Sequence, residues 1–451
     1  MSQPRNSVFT VLKHPTFALI LSAAAISNIG NWMEGVAQAW AVVEQTKDDP
    51  KTSAFLTELL SVADFAPVLF LALLAGLISD RVNRKVWLFI LQTSACLLGA
   101  ALAVLGYMHM LTPWRVIAFT FAEGVVWALN GPVWMSVVPM LVPREELEFA
   151  TAANSMQFNL ARLVGPVMSG LVIGVAGINL AFAINALTFV PVLFALTRLP
   201  PSPPLAAKHS DGMLRELTSG VRWVWNHPGA RRLALMSMTF TFLSAPVQGL
   251  LAIFASQVLG GSSTLYGVML AMIGLGSLIG AFSLSKLPAH YPRHHLIPLA
   301  MCLFAMFGLL YSFSHVVWLT LPLLVCCGMF WLLTLNPLNT ATQLLAPDDQ
   351  RGRIMSVMLV CSQGAMPIGH LCAGALAHVM APQLIVRGML ALLLLIAIGF
   401  LFRREPAIDQ MERRGHTADT LLAAVREAIT AESHTHDPSD SVRIPRPGTL
   451  Q

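Results

Sequence analysis

"LVPREELEFATAANSMQFNLARLVGPVMSGLVIG" (residues 141–174) aligns without a gap to "LAPDDQRGRIMSVMLVCSQGAMPIGHLCAGALAH" (345–378). Pro143 meets Pro347, Glu145 meets Asp349, Gly165 meets Gly369 and Gly170 meets Gly374. Gly76 and Gly280 fall at the same offset. Each stretch opens on a proline- and acid-bearing turn and runs into an apolar segment. The chain therefore reads as a tandem of two related units. When such units are membrane bundles, the substrate path lies between them.

The composition supports the membrane reading. Of 451 residues, 55% are hydrophobic and 11% charged, with a mean hydropathy of +0.67. A soluble domain carries about 25% charged residues. The charges cluster between apolar runs at roughly 17–43, 55–79, 86–107, 114–141, 150–175, 178–198, 233–258, 264–287, 294–314, 317–345, 352–380 and 383–403, and about 20 residues suffice to span the hydrocarbon. Only helices satisfy their own backbone within one segment. The expected fold is an all-α membrane protein of twelve transmembrane helices in two pseudo-symmetric six-helix bundles. The first run is too long and too polar for a cleaved signal peptide.

Lys and Arg set the expected orientation. Placing both termini on one side leaves only Lys47, Lys51, Arg115 and Arg387 on the other, with Arg162 inside a span. The positive-inside rule then puts both termini in the cytoplasm. The pI near 9.0 follows from this bias and calls for no nucleic-acid partner. The six cysteines all fall within spans, as small apolar residues, and suggest neither disulfides nor a metal site.

The expected organisation is an N-terminal arm (1–16), a first bundle (17–198), a linker (199–232), a second bundle (233–403) and a cytoplasmic tail (404–451). In the linker, Asp211 is placed to cap a helix with Met213, Leu214, Leu217 and Val221 on one face, a pattern suited to the membrane surface. The tail reads as a short amphipathic helix at 417–429 followed by disorder.

Two motifs bear on mechanism. "GLISDRVNRK" follows the second run with Gly76, Asp80, Arg81, Arg84 and Lys85. An Asp at a helix C-terminus has the wrong sign for the macrodipole and wants a cation, which suggests a conformational charge latch. "NLARLVGPVMSG" in the fifth run holds Asn159, Arg162, Gly165, Pro166, Ser169 and Gly170, a kinkable and closely packing helix. The first resembles the loop signature of the major facilitator superfamily, and the second its antiporter motif, with Ser169 where glycine is common. "SNIGNWMEGVAQAW" and "LRELTSGVRWVWNHP" extend the likeness to the superfamily's enterobactin-exporter-like and multidrug-efflux branch, over about residues 10–403. The resemblance implies a twelve-helix transporter with a central cavity lined by spans one, four, seven and ten. Two departures stand out. Thr120 replaces the span-four arginine of other antiporters, and Glu34 and Asp64 stand where the branch often has uncharged polar residues.

Glu34, Asp64 and Glu123 all lie well inside spans, at a cost of roughly 2.5–3.5 kcal/mol for an Asp at the span centre. That cost is acceptable where the groups face a cavity, pair, or carry protons for part of a cycle. Glu34 and Asp64 are the expected proton carriers, with Arg162 biasing their ionisation; the alternative is a static packing pair. Glu123, Trp32, Asn130, Gln248, Asn336 and Asn339 are the expected substrate contacts, because buried amides need partners and indole faces attract cations. His370, opposite Pro166 in the repeat, is expected to be a hydrogen-bonded packing residue.

Together these features point to secondary active export of a small amphipathic molecule, drug-like or siderophore-type, by a monomer in the lipid bilayer. The proton gradient would supply the energy, with no cofactor or metal. A symporter, a lipid-related facilitator and a transport-inactive sensor are the alternatives. No nucleotide loop, metal constellation or nucleophile–base set supports an enzyme.

Overall fold

The computed structural model describes residues 10–199, 213–286, 293–347 and 350–403, and within these leaves out the side chains of 72–81 and a few others. The expected N-cap Asp211 and the tail helix at 417–429 lie outside the described residues, as does most of the N-terminal arm.

Among the described residues the protein is helical, with twelve helices long and apolar enough to cross a membrane. The first bundle comprises α1 (Pro15–Gln45), α2 (Pro50–Arg81), α3 (Arg84–Tyr107), α4 (Pro113–Val137), α5 (Leu147–Ala176) and α6 (Ile178–Thr197). A linker helix, α7 (Met213–Asn226), packs on the second bundle, where Gly220 lies against the Arg353 carbonyl. The second bundle comprises α8 (Pro228–Gly249), α9 (Ser263–Lys286), α10 (Arg293–Phe313), α11 (Val317–Leu345), α12 (Arg351–Ala377) and α13 (Pro382–Phe402).

Local signals place these boundaries. Asn83 caps α3 by accepting from the amides of Lys85 and Val86. The helix α8 begins at Pro228, ahead of the apolar run that starts near 233. His227 caps it and proline occupies its first turn, signals that hydropathy does not register. The seventh run is also not one continuous helix. It breaks after Gly249, resumes at Leu251–Ile253 and ends in a π turn at Phe254–Val258.

The two bundles meet along two related seams, α2 against α12 and α5 against α9. The repeated glycines explain the pairing. Gly165 abuts α1 at the Ile29 carbonyl, and Gly369 abuts α8 at the Phe242 carbonyl, so each packs within its own bundle. Gly170 and Gly374 instead face the other bundle. A side chain at Gly170 would meet the Ser263 carbonyl at 2.7 Å, and one at Gly374 would meet Glu58 Cβ at 3.2 Å. The sequence repeat is thus a repeat of contacts.

The seam is closed on the face away from the chain termini. There Trp40 stacks on Tyr266, Phe55 meets the His378 ring at 4.7 Å, and Thr264 Oγ1 donates to the Gly170 carbonyl at 3.1 Å. Glu58 on α2 and His370 on α12 are hydrogen-bonded at the same level. Toward the terminal face, α5 exposes Thr151, Ser155 and Asn159, and α11 exposes Asn336, Asn339, Thr340 and Gln343. Polar stripes at helical spacing on membrane helices mark a water-filled cavity rather than lipid. The water-accessible side of the seam is thus the terminal face.

Candidate functional site

Glu34 points into the first bundle, not into the cavity. It is 5% exposed, and Asn185 Nδ2 of α6 donates to its Oε2. Glycines make this possible. A Cβ at Gly99 of α3 would lie 3.2 Å from Glu34 Oε1, and one at Gly30 would lie 2.5 Å from Asn185 Oδ1. Thus α1, α3 and α6 close around one carboxyl.

Glu123 reaches the same point from α4. Gln38, one turn after Glu34, donates its Nε2 to Glu123 Oε2 at 2.7 Å. The carboxyls of Glu34 and Glu123 are close enough to act on each other electrostatically. Yet Glu34 Oε1 and Glu123 Oε1 are both buried without a donor among the described residues. An ionised carboxylate only accepts, so a proton on one of the two is the donor that the site lacks.

Asp64 continues the string toward water. It is exposed, and an acidic side chain exposed on a membrane helix faces water in a cavity rather than lipid. Gly124, next to Glu123, lets α2 approach so closely that an added Cβ would lie 2.7 Å from the Asp64 carbonyl. Asp64 is within electrostatic reach of Glu123 in its own bundle and of His370 in the other.

Arg162 does not join this set. Its guanidinium lies over the Trp32 ring, 5.6 Å from the centroid, and forms no ion pair with either expected carboxylate. The reason is position: the Arg162 backbone abuts α9 at Gly274, and its side chain turns back toward α1. Trp32, Phe158 and Trp127 form a continuous aromatic wall beside it, with ring centroids 6.2 and 6.3 Å apart. Trp127 is 47% exposed.

The other expected contacts divide. Asn336 and Asn339 stand on the exposed polar stripe of α11, and Gln248 is half-buried near the end of α8. Asn130 instead accepts from Gln92 of α3 at 3.3 Å, a contact inside the first bundle. Asn159 is exposed and donates to the Ser155 carbonyl of its own helix, so it takes no part in helix packing. Gly165, Pro166 and Gly170 do pack, and Ser169 Oγ donates to the Met33 carbonyl at 2.7 Å. Of the latch residues, Lys85 donates to the Thr197 and Leu199 carbonyls, capping α6 within the first bundle, and Arg84 contacts Met140. The side chains of Asp80 and Arg81 lie outside the described residues, and so does any contact of Gly76.

Three participants escaped the sequence reading: Gln38, Asn185 and Glu58. Asn185 had a signal, as an amide in the otherwise apolar "LAFAINALTF". Glu58 had none, since it sits close to the start of its span. His370 is a hydrogen-bonded histidine as expected, but its partner belongs to the opposite bundle.

The family model described as "transmembrane secretion effector" matches residues 6–429. The chain belongs to this family of the major facilitator superfamily. The multidrug efflux pump Tap of Mycobacterium tuberculosis is 26% identical over 414 residues, covering 88% of this chain and 95% of Tap. The staphyloferrin A transporter of Staphylococcus aureus is 22% identical over 370 residues, covering 79% and 88%. Among solved structures, a bacterial homologue of the human lysosomal transporter Spinster superposes with a TM-score of 0.65 at 14% identity, covering 88% of this chain and 97% of that one. The protein is a membrane transporter by fold and family, not an enzyme.

Proposed function

We propose that the protein exports a small amphipathic molecule, drug-like or siderophore-type, from the cytoplasm across the inner membrane in exchange for protons. One observation carries the reading. Glu34 and Glu123 each keep one buried carboxyl oxygen without a donor, they act on each other electrostatically, and the exposed Asp64 lies within electrostatic reach of Glu123. In the cycle, the two bundles rock about the α2–α12 and α5–α9 seams. The proton held by the Glu34–Glu123 pair leaves through Asp64 toward the terminal face, which the bias of Lys and Arg puts in the cytoplasm.

Trp32, Trp127 and Phe158 supply flat apolar surface for the substrate. Arg162, free of a carboxylate partner, suits a hydrogen-bond acceptor or negative group on it. Glu123 moves from the substrate contacts to the proton site. The relatives named for multidrug efflux and for a staphyloferrin support export.

The test is accumulation of a panel of fluorescent amphipathic dyes by energised inside-out vesicles. Uptake of at least one dye, collapsed by a protonophore and absent in Glu34→Gln and Glu123→Gln, is the expected result. Dye uptake that survives the protonophore overturns proton exchange.

A further inference from the structure

Glu58 and His370 join the two bundles where the cavity is sealed. His370 Nδ1 and Glu58 Oε2 are 2.5 Å apart, and the side chains are 1% and 0% exposed. The carboxyl belongs to α2 of the first bundle, yet it is seated wholly in the second. A Cβ at Gly249, where α8 breaks, would lie 2.6 Å from Glu58 Oε2. Gly374 of α12 leaves room for Glu58 Cβ on the other side. Phe65 stacks parallel on the imidazole at 6.2 Å. Glu58 Oε1 and His370 Nε2 have no hydrogen-bond partner among the described residues. Two glycines and a histidine thus form a dry socket for one ionisable side chain from the opposite bundle.

We propose that Glu58 and His370 are a proton-binding latch, separate from the Glu34–Glu123 pair, that holds the far face shut when it carries a single proton. Charge balance is the reason. With one proton shared, the pair is neutral. With none, a net negative charge is buried in the socket, and with two, a net positive one. Burying net charge away from water is costly, whereas separating the bundles hydrates both groups. The latch therefore closes at intermediate pH and opens on either side of it.

The neighbouring titratable groups are few. Asp64 on α2 faces His370, with Glu123 of α4 behind it, and Glu34 lies beyond on α1. His378 of α12 stacks on Phe55. The α8 stretch packed on the pair, residues 240–258, holds no Asp, Glu, His, Lys, Arg, Cys or Tyr. On α9, Tyr266 stacks on Trp40, and on α13, Arg387 is held by the Ser312 carbonyl. The proposal rests on the rocking of the bundles about their seams, but not on export or on the identity of the substrate.

The test uses the full chain in lipid nanodiscs, with its native cysteines replaced and spin labels at Lys47→Cys and His315→Cys, one on each bundle at the far face. Pulsed dipolar spectroscopy then reads the closed population against pH. In the native background this population is expected to peak at an intermediate pH and to fall on both sides, by up to about tenfold per pH unit for one proton. Glu58→Gln leaves only the histidine to titrate, so only the acid-side fall remains. His370→Gln leaves only the carboxyl, so only the alkaline-side fall remains. The double variant, a neutral pair that still hydrogen-bonds, closes without the two-sided fall, keeping only whatever one-sided dependence the Glu34–Glu123 pair imposes, and shows that the fold is intact. A flat native profile, or both falls persisting in either single variant, overturns the latch. If both falls vanish in Glu34→Gln and persist in the latch variants, the latch is wrong while proton exchange at Glu34 stands.

Discussion

Glu34 and Glu123 meet in the first bundle with one unpartnered carboxyl oxygen each. Either residue as glutamine brings an amide donor to that gap while retaining an oxygen for Asn185 or Gln38. At a pH high enough to strip the pair of its proton, each single variant is therefore expected to stabilise the folded protein by about 1 kcal/mol relative to the native chain, the net worth of a hydrogen bond. The double variant should gain less than the sum, because the two sites repair the same defect. Thermal unfolding in detergent measures both. A loss of stability in either single variant would show that the pair is already satisfied by other means.

Asn185 makes the opposite prediction. It is 0% exposed and is the amide donor to Glu34. Asn185→Ala removes that donor and leaves a buried carboxyl oxygen unpaired, at an expected cost of about 1–3 kcal/mol. Combining it with Glu34→Leu should recover part of the loss, since both polar partners are then gone. No recovery would assign the cost to packing alone.

Gly170 tests the seam. An added side chain there meets the Ser263 carbonyl at 2.7 Å and Thr264 Cα at 2.8 Å, both backbone atoms that cannot swing away. Gly170→Val is expected to disfavour closure of the far face by about 1–3 kcal/mol, the usual cost of overpacking. Labelling of a cysteine at position 264 from the far face should speed up accordingly. Unchanged labelling would place the seam elsewhere.

Asp49 supplies a pH prediction outside the membrane. It starts α2 by accepting from the Thr52 hydroxyl at 2.5 Å, the Thr52 amide at 3.3 Å and the Lys51 amide at 3.1 Å. These bonds, the hydroxyl's first, hold its carboxyl below the usual aspartate range. A lowered folded value gives stability that is present above the unfolded value of about 3.9 and lost as pH falls through the folded one. Hydrogen exchange of the first-turn amides of α2 should be equally protected at pH 7 and pH 5, after correction for intrinsic rates. Protection already lost at pH 5 contradicts this.

Much of this architecture was legible in the sequence because membrane helices declare themselves by length and apolarity. The gapless repeat also paired Gly170 with Gly374, and the structure adds that both face the opposite bundle. The common depth of Glu34, Asp64 and Glu123 within their spans was also legible, being a matter of counting residues. Partner choice was not legible. Whether Arg162 turns toward Asp64 or Trp32 depends on helix rotation, which hydropathy does not encode. Glu58 looked like a residue near a span entrance. Only the break after Gly249, on the far side of a bundle interface, shows that it is buried.

The Glu34–Glu123 pair is the proposed carrier of the exchanged proton. The most direct test is proton release from de-energised inside-out vesicles on adding a dye that the energised vesicles accumulate. The native protein is expected to release protons, and Glu34→Gln and Glu123→Gln, both folded and still binding the dye, to release none. Release from either variant equal to that of the native protein would contradict this role.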